Sequence, residues 1–374
     1  MENIQYYIAL DIGAGAGAKM GIYSDRKELL REMMLSKSEY GSHGDEFAKA
    51  LINKINENID LANLDRANLL SIGICCAGIL ATDGAFILFK NQPQFNGYNI
   101  RKALSDHFGV PSKIENDADA GGLAEWSVLK MELCYWVFGG GWGGVWISKD
   151  GDIMYPSYDW DGEDSSLHCS NEPGYSIALD KLKLKTLFYK LGVSYDYFEK
   201  ILLEDESLPD SVLIGPNNDS SSLRAETILS GPGRCRLFRA VVGDDTFYER
   251  FLDIHEVAQM HDPSVAGAHI SKLSSMGVNV ALKTDKLYGE ILAIAAQTLI
   301  SKSIKDGMKP GIPLCLGGKP SYALPYFGPS CQKSLGSMGI YNYIRPSVID
   351  ESGQSANMLG ALVIAELAYS KSKK

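Results

Sequence analysis

No stretch of the chain approaches the ~18 consecutive apolar residues of a membrane-spanning helix, and its start shows no basic-then-apolar leader with a cleavage site. These absences point to a soluble, cytoplasmic protein. Basic runs are missing as well. The 36 Lys and Arg are dispersed among 46 Asp and Glu, for a formal net charge of −10, so neither a nucleic acid nor an acidic membrane surface is expected as a partner. Seven Cys is an odd number, Cys75 and Cys76 are adjacent, and no Cys-x-x-Cys occurs. That composition excludes a disulfide framework and fits a reducing compartment. Metal-ligand spacing is absent too. His255 and His261 in HEVAQMH are six apart, which does not place them on one helical face as HExxH would, and His168 with Cys169 is too little for a zinc site. Small molecules are the expected ligands.

What is present is length. At 374 residues and 45% hydrophobic the chain can build two cores, since one core rarely grows past about 250 residues. Gln5 to Asp11 is an apolar strand ending in an acid; it opens into Gly13-Ala14-Gly15-Ala16-Gly17-Ala18-Lys19 and a second strand to Tyr23. A dinucleotide fingerprint would need a helix directly after these glycines, and a Walker loop would need GxxxxGK[ST]; neither occurs. A strand-loop-strand hairpin remains. It is either a simple β-turn or a loop whose bare amides approach a phosphate, with Asp11 projecting from the first strand.

Phe47, Leu51, Ile52, Ile55 and Ile59 recur at helical spacing, Leu69 to Ala77 reads as a buried strand, and Ile100 to Phe108 as a short helix. Cys75 and Cys76 read as small core residues. A strand from Val110 to Glu115 then runs into Asn116-Asp117 and a helix of small residues. Asn and Asp are favoured helix caps, yet a strand-to-helix junction is also where an α/β enzyme places its chemistry. Gly139-Gly140-Gly141-Trp142-Gly143-Gly144 separates two further strands, Cys134 to Phe138 and Val145 to Ser148. Two such units suggest a duplicated hairpin gripping a polyphosphate, against the alternative of two ordinary glycine hairpins. Beyond them, Asp159 to Pro173 reads as an acidic loop, Tyr175 to Leu191 as helix, and Gly231-Pro232-Gly233 as a turn before a helix. Leu287 to Lys305 is a long helix, and Gly317-Gly318-Lys319 follows a strand.

Asn116-Asp117, the run Ala225-Glu226-Thr227-Ile228-Leu229-Ser230-Gly231-Pro232-Gly233, and Gly317-Gly318 make the chain resemble the bacterial glucokinase family. Beyond it, the chain resembles the ROK sugar kinases; both belong to the actin-like ATPase superfamily. The Glu226 run points to glucokinase, because ROK enzymes carry a cysteine-rich zinc motif that this chain lacks. The resemblance implies an α/β fold of two ribonuclease-H-like domains with a cleft between them. Residues 1–120, completed by 356–374, would form the smaller domain and 121–355 the larger. It further implies an ATP-dependent hexose kinase, using Mg²⁺, that phosphorylates the 6-hydroxyl of glucose or a related hexose. A homodimer is left open.

Under that resemblance Asp117 is the base, and Asn116 beside it grips sugar hydroxyls. Glu226 matches the glutamate that accepts hydrogen bonds from the anomeric end. Glu163 resembles the glutamate of a Gly-Glu-Gly-Gly-His motif, although the family His lies three residues on, where this chain has Ser166 with His168 beyond. Asn91 begins the sugar loop, or is a turn Asn. Asp11, Gly13, Gly15 and Lys19 form one phosphate loop, with Asp11 orienting Mg²⁺ through water; Gly139, Gly140 and Gly141 form the other, and Gly317-Gly318 adds a third contact. Helix N-terminal amides are expected to depress the Asp117 pKa, and Trp126, Trp136, Trp142 and Trp146 to lie near the cleft.

Two departures stand out. The family's Asp-x-Gly-Gly-Thr reads Asp11-Ile12-Gly13-Ala14-Gly15, and its Gly-Thr-Gly reads Gly139-Gly140-Gly141. Each lost hydroxyl bond would be worth ~1.5–3 kcal/mol, tenfold or more in affinity. The rival reading is therefore a sugar-binding sensor or pseudokinase that keeps Asn116, Asp117 and Glu226. A ROK-type repressor is not expected, because the chain starts directly at the first strand with no DNA-binding helix pair before it, and a nicotinamide dehydrogenase is more distant still.

Overall fold

Two five-stranded sheets of identical strand order organise the computed structural model, which describes residues 4–13, 17–89, 92–155, 172–243 and 252–373. In the first, β1 (Tyr6–Ile12), β2 (Gly17–Ser24) and β3 (Leu29–Ser36) form an antiparallel meander. β4 (Leu69–Cys76) pairs parallel to β1. After a small hairpin of β5 (Ile79–Leu80) and β6 (Phe86–Leu88), β7 (Ser112–Asn116) pairs parallel to β4. Parallel neighbours need crossovers. Helix α1 (Gly44–Leu61) supplies one, burying Phe47, Leu51, Ile55 and Ile59 on one stripe. Helix α2 (Ile100–Phe108) supplies the other, started by the Asn99 side chain accepting from Lys102 N and ended by Gly109 at φ 66°.

The second sheet repeats this plan. β8 (Leu133–Phe138), β9 (Trp142–Ile147) and β10 (Ile153–Met154) form the meander. After a ribbon of β11 (Ala178–Asp180) and β12 (Ser222–Arg224), strands β13 (Pro313–Gly317) and β14 (Tyr343–Pro346) add in parallel beyond β8. The two glycine hairpins are thus the first turns of a duplicated five-stranded unit. The second is tighter than expected: Trp142, Gly143 and Gly144 already belong to β9, leaving a loop of Gly139–Gly141. Tyr175 to Leu191 is not one helix either. A short turn, Pro173–Ser176, is followed by β11, whose last residue Asp180 caps a helix over Lys181–Lys190. Pairing with β12 overrides the local helical pattern here.

Helix α3 (Asp117–Leu129) and the terminal helix Ala356–Ser372 lie between the sheets and share a core with both. Their approach is set by missing side chains. A Cβ on Gly360 would stand 2.1 Å from Ala120 O, one on Gly73 of β4 1.9 Å from Ala361 O, and one on Gly122 2.2 Å from a Val145 methyl. Gly360→Ala should therefore destabilise the protein by about 1–3 kcal/mol through overpacking. Urea denaturation checks this, and wild-type stability would show that the helices can part without cost.

Candidate active site

The C-terminal ends of the parallel strands of the first sheet converge. Asp11, Cys75 and Glu115 are aligned across β1, β4 and β7, and β7 passes directly into α3 at Asn116-Asp117. Asn116 is the N-cap: its Oδ1 accepts from Ala118 N at 2.8 Å, and its Nδ2 donates to Gly78 O at 2.9 Å. One acceptor and one donor of this amide are thus spent on fixing the junction. Asp117 follows at the first helical position, and its Oδ1 also accepts from Ala118 N, at 2.9 Å.

The Asp117 carboxyl is not depressed as the helix terminus led us to expect. Burial pushes its pKa up from 3.8 to about 6, the amides of Ala118 and Asp117 oppose that shift, and the nearby Asp11 carboxylate reinforces it. Desolvation exceeds the dipole here. Asp11 is itself raised by burial, with Asn357, Lys19 and the Cys75 thiol acting in the opposite sense. Asn357, on the terminal helix, donates to Asp11 Oδ1 at 3.3 Å. Lys19 is exposed on β2 directly opposite Asp11.

The facing wall comes from the second sheet. At the tip of its hairpin Gly139 N donates to Gly141 O at 2.9 Å, and Gly231 N donates to Gly139 O at 2.8 Å. Gly231 opens a helix to Val242 whose cap, Ser230, accepts from Gly233 N. Gly318 holds φ 83° beside the same hairpin, where a Cβ would lie 2.0 Å from Phe138 O. Three glycine signals far apart in sequence are thereby gathered into one cradle of backbone amides. Above Gly140 a Cβ would meet no described atom within 4 Å. Glu226 adjoins this cradle, since a Cβ on Gly141 would be 2.7 Å from its Oε2 and one on Gly174 2.9 Å from its Cβ. Gly143, two residues along, would bring a Cβ 3.1 Å from the Ala118 methyl, so the Glu226 wall and the Asp117 helix flank one strand edge.

Beside Asn116 opens a cavity of about 520 Å³, walled by the 78–84 turn, Arg101, Asp119, Tyr155 and Glu172. Glu172 was missed from sequence. The signal was available: in Glu172-Pro173-Gly174-Tyr175 an aromatic ring stands three residues after a glutamate, the spacing sought at Glu163. Glu163, His168, Asn91 and Gly15 lie outside the described residues. Gly13 ends the described part of the first loop, and Gly317 ends β13. Of the four tryptophans expected near the cleft, Trp142 directly follows the Gly139–Gly141 turn. Trp136, Trp142 and Trp146 are buried in the core of the second sheet, and Trp126 donates to Lys149 O. Among the described residues no group of three His, Cys, Asp or Glu side chains could hold a metal ion, and no helix is long and apolar enough to cross a membrane.

The ROK family model matches residues 7–149, a span that runs from β1 through the Asn116-Asp117 junction to the end of the second hairpin. The likeness to the ROK family is carried by this segment. Over 98% of its length the chain is similar to a ROK hexokinase from Thermus thermophilus, at TM-score 0.63 and 19% identity, covering 100% of that chain. It is also similar to a ROK family glucokinase from Streptomyces griseus solved with glucose and AMPPNP, at TM-score 0.59, 16% identity and coverage of 97% and 99%. A ROK family transcriptional regulator homologous to the E. coli MLC protein aligns at TM-score 0.66 and 14% identity, over 98% of this chain and 78% of that one. An uncharacterised protein of Clostridium perfringens is 23% identical over 262 residues, 63% of this chain and 85% of its own length. These similarities establish the expected α/β architecture of two actin-like domains; they do not separate kinases from regulators.

The electrostatics of Asp117 make a prediction independent of activity. Because its folded pKa of about 6 exceeds the ordinary 3.8 of an aspartate, the folded state binds more protons between those values, and stability is lost as pH rises through that window. Asp117→Asn should therefore stabilise the fold by roughly 1–3 kcal/mol at pH 8. The gain should vanish below about pH 3.5. Chemical denaturation across pH tests the sign.

Proposed function

We propose that the protein is an ATP-dependent sugar kinase that phosphorylates the 6-hydroxyl of a hexose. The reading is carried by one arrangement: Asp117 at the mouth of α3, with Asp11 beside it and Glu226 beside a cradle of bare amides on the facing wall. With a pKa of about 6, Asp117 is mostly ionised at neutral pH, yet basic enough to take the hydroxyl proton as the oxygen attacks phosphorus. Asn116, Glu172 and Glu226 would orient the sugar, and the amides around Gly140, in the cradle that the anchored Gly139, Gly231 and Gly318 shape, would receive the phosphates. Asp11, a half-buried carboxylate at a strand end, suits a Mg²⁺ ion held through water. When bound, that ion would neutralise charge on the phosphoryl oxygens. Residues 1–120 with 356–374, and 121–355, are the two bodies that would close on these ligands.

A coupled assay of ADP release with glucose, mannose and N-acetylated hexoses tests this. Asp117→Asn should lower kcat by about 10²–10⁴-fold, and wild-type kcat should fall below about pH 6 on an acid limb set by this carboxyl. Absence of turnover with every sugar, alongside sugar binding, would favour the sensor reading. One observation lends that alternative weight: the Gly139–Gly141 turn presents no hydroxyl to a phosphate.

Gly140 offers a sharper test. It has open space above it and no positive φ, so Gly140→Thr can be accommodated. Restoring a hydroxyl there should lower the KM for ATP by about tenfold, the equivalent of one charge-assisted bond. An unchanged or higher KM would mean that phosphates do not pass this turn.

A further inference from the structure

We propose that Glu125 is a positioning residue that locks the Gly317-Gly318 loop to the helix bearing Asp117, so that α3 sets both halves of the site; its functional part rests on the kinase reading. Glu125 lies about two turns beyond Asp117 on α3 and has no exposed surface. Its Oε2 accepts from Ser347 Oγ at 2.7 Å and from Ile349 N at 3.4 Å, and its Oε1 accepts from Val348 N at 2.9 Å. The thiol of Cys315, in the middle of β13, also donates to it. Ser347 N donates to Leu316 O at 2.9 Å, and Ser347 Oγ accepts from Asp350 N at 3.3 Å. Asp350 Oδ2 then accepts from Gly318 N at 2.8 Å.

A continuous relay thus runs from Glu125 through Ser347 and Asp350 to the Gly318 amide. An enclosed carboxylate is costly unless its oxygens are matched by donors, and a well-packed apolar residue would stabilise the same position more cheaply. What the carboxylate adds is direction. It fixes residues 347–350 relative to α3, and they in turn fix Gly318 at φ 83° against Phe138 O. Gly318 has no side chain with which to hold itself there.

The test compares wild type with Glu125→Gln, Asp350→Ala and Asp350→Asn. Hydrogen–deuterium exchange is followed on the ligand-free chain, and ATP and glucose binding by calorimetry. Exchange at Gly318 should rise at least tenfold in Glu125→Gln and Asp350→Ala. In Asp350→Asn it should return towards the wild-type rate, because the amide keeps a carbonyl acceptor. The ATP Kd should rise about tenfold, equivalent to ~1.4 kcal/mol, in the first two variants, with the glucose Kd changed less than twofold. Unaltered Gly318 exchange in both variants would overturn the proposal, as would equal loss of sugar and nucleotide affinity, which marks general softening. If Glu125→Gln does not fold, Asp350→Ala, at the half-buried end of the relay, decides the question. If wild type binds no ATP, the kinase reading falls, while faster exchange at Gly318 still supports the relay.

Discussion

Where Gly360 meets Ala120 and Ala361 meets Gly73, backbone lies directly on backbone, and the two helices between the sheets are held at a separation that side chains would not allow. Small residues permit this contact and van der Waals packing rewards it. The consequence reaches the site. The terminal helix that makes the contact also brings Asn357 to Asp11, while α3, on the other side of it, begins with Asp117 and rests on β8 and β9 through Gly121 and Gly122. The distance between the carboxylates of the first sheet and the glycine cradle of the second is thus set by a stack of backbone contacts.

Magnitudes explain why Asp117 behaves as it does. A helix N-terminus favours a carboxylate by ~0.3–1 kcal/mol, and by up to about 2 when partly buried. The displacement from 3.8 to about 6 corresponds to roughly 3 kcal/mol in the opposite direction, so desolvation and the like charge of Asp11 together exceed the dipole by that much. Asp117 keeps part of its surface exposed, so the shift reflects the desolvated setting of its carboxyl and the Asp11 carboxylate beside it.

Much of this was legible in the sequence because it rests on local chemistry. Strand patterns located seven of the ten strands of the two sheets, leaving out the edge strands β3, β10 and β14, glycine runs marked both hairpins, and the Asn116-Asp117 junction stood out as a cap that could also be a site. The hidden parts depend on contacts between distant segments. β11 forms because β12, some forty residues later, offers a partner, so the Tyr175 region looked helical when read alone. Glu172 does not stand out in sequence because it is one of several acids in the Asp159 to Pro173 stretch, and only folding shows that it faces the cavity beside Asn116. The raised Asp117 pKa is hidden in the sequence because a helix terminus can be read there, whereas the desolvation of its carboxyl and the approach of Asp11 cannot.

The loss of hydroxyls from both glycine hairpins takes on a different meaning once the cradle is assembled. In a site that depended on threonine side chains, bare loops would be a deficit of one charge-assisted bond each. Here the donors are main-chain amides from three segments, and three are anchored: Gly139 N engages Gly141 O, Gly231 N engages Gly139 O, and Gly318 N engages Asp350, whose own position traces back to Glu125. Those three amides are therefore spent on holding the cradle's shape. The amides available to a ligand are their neighbours, presented at fixed angles. Preorganised dipoles need little reorganisation as charge develops opposite them, whereas a rotatable hydroxyl must first be oriented. The rigidity that Glu125 transmits from α3 is what would let unadorned glycines serve a reaction whose other participant, Asp117, starts the same helix.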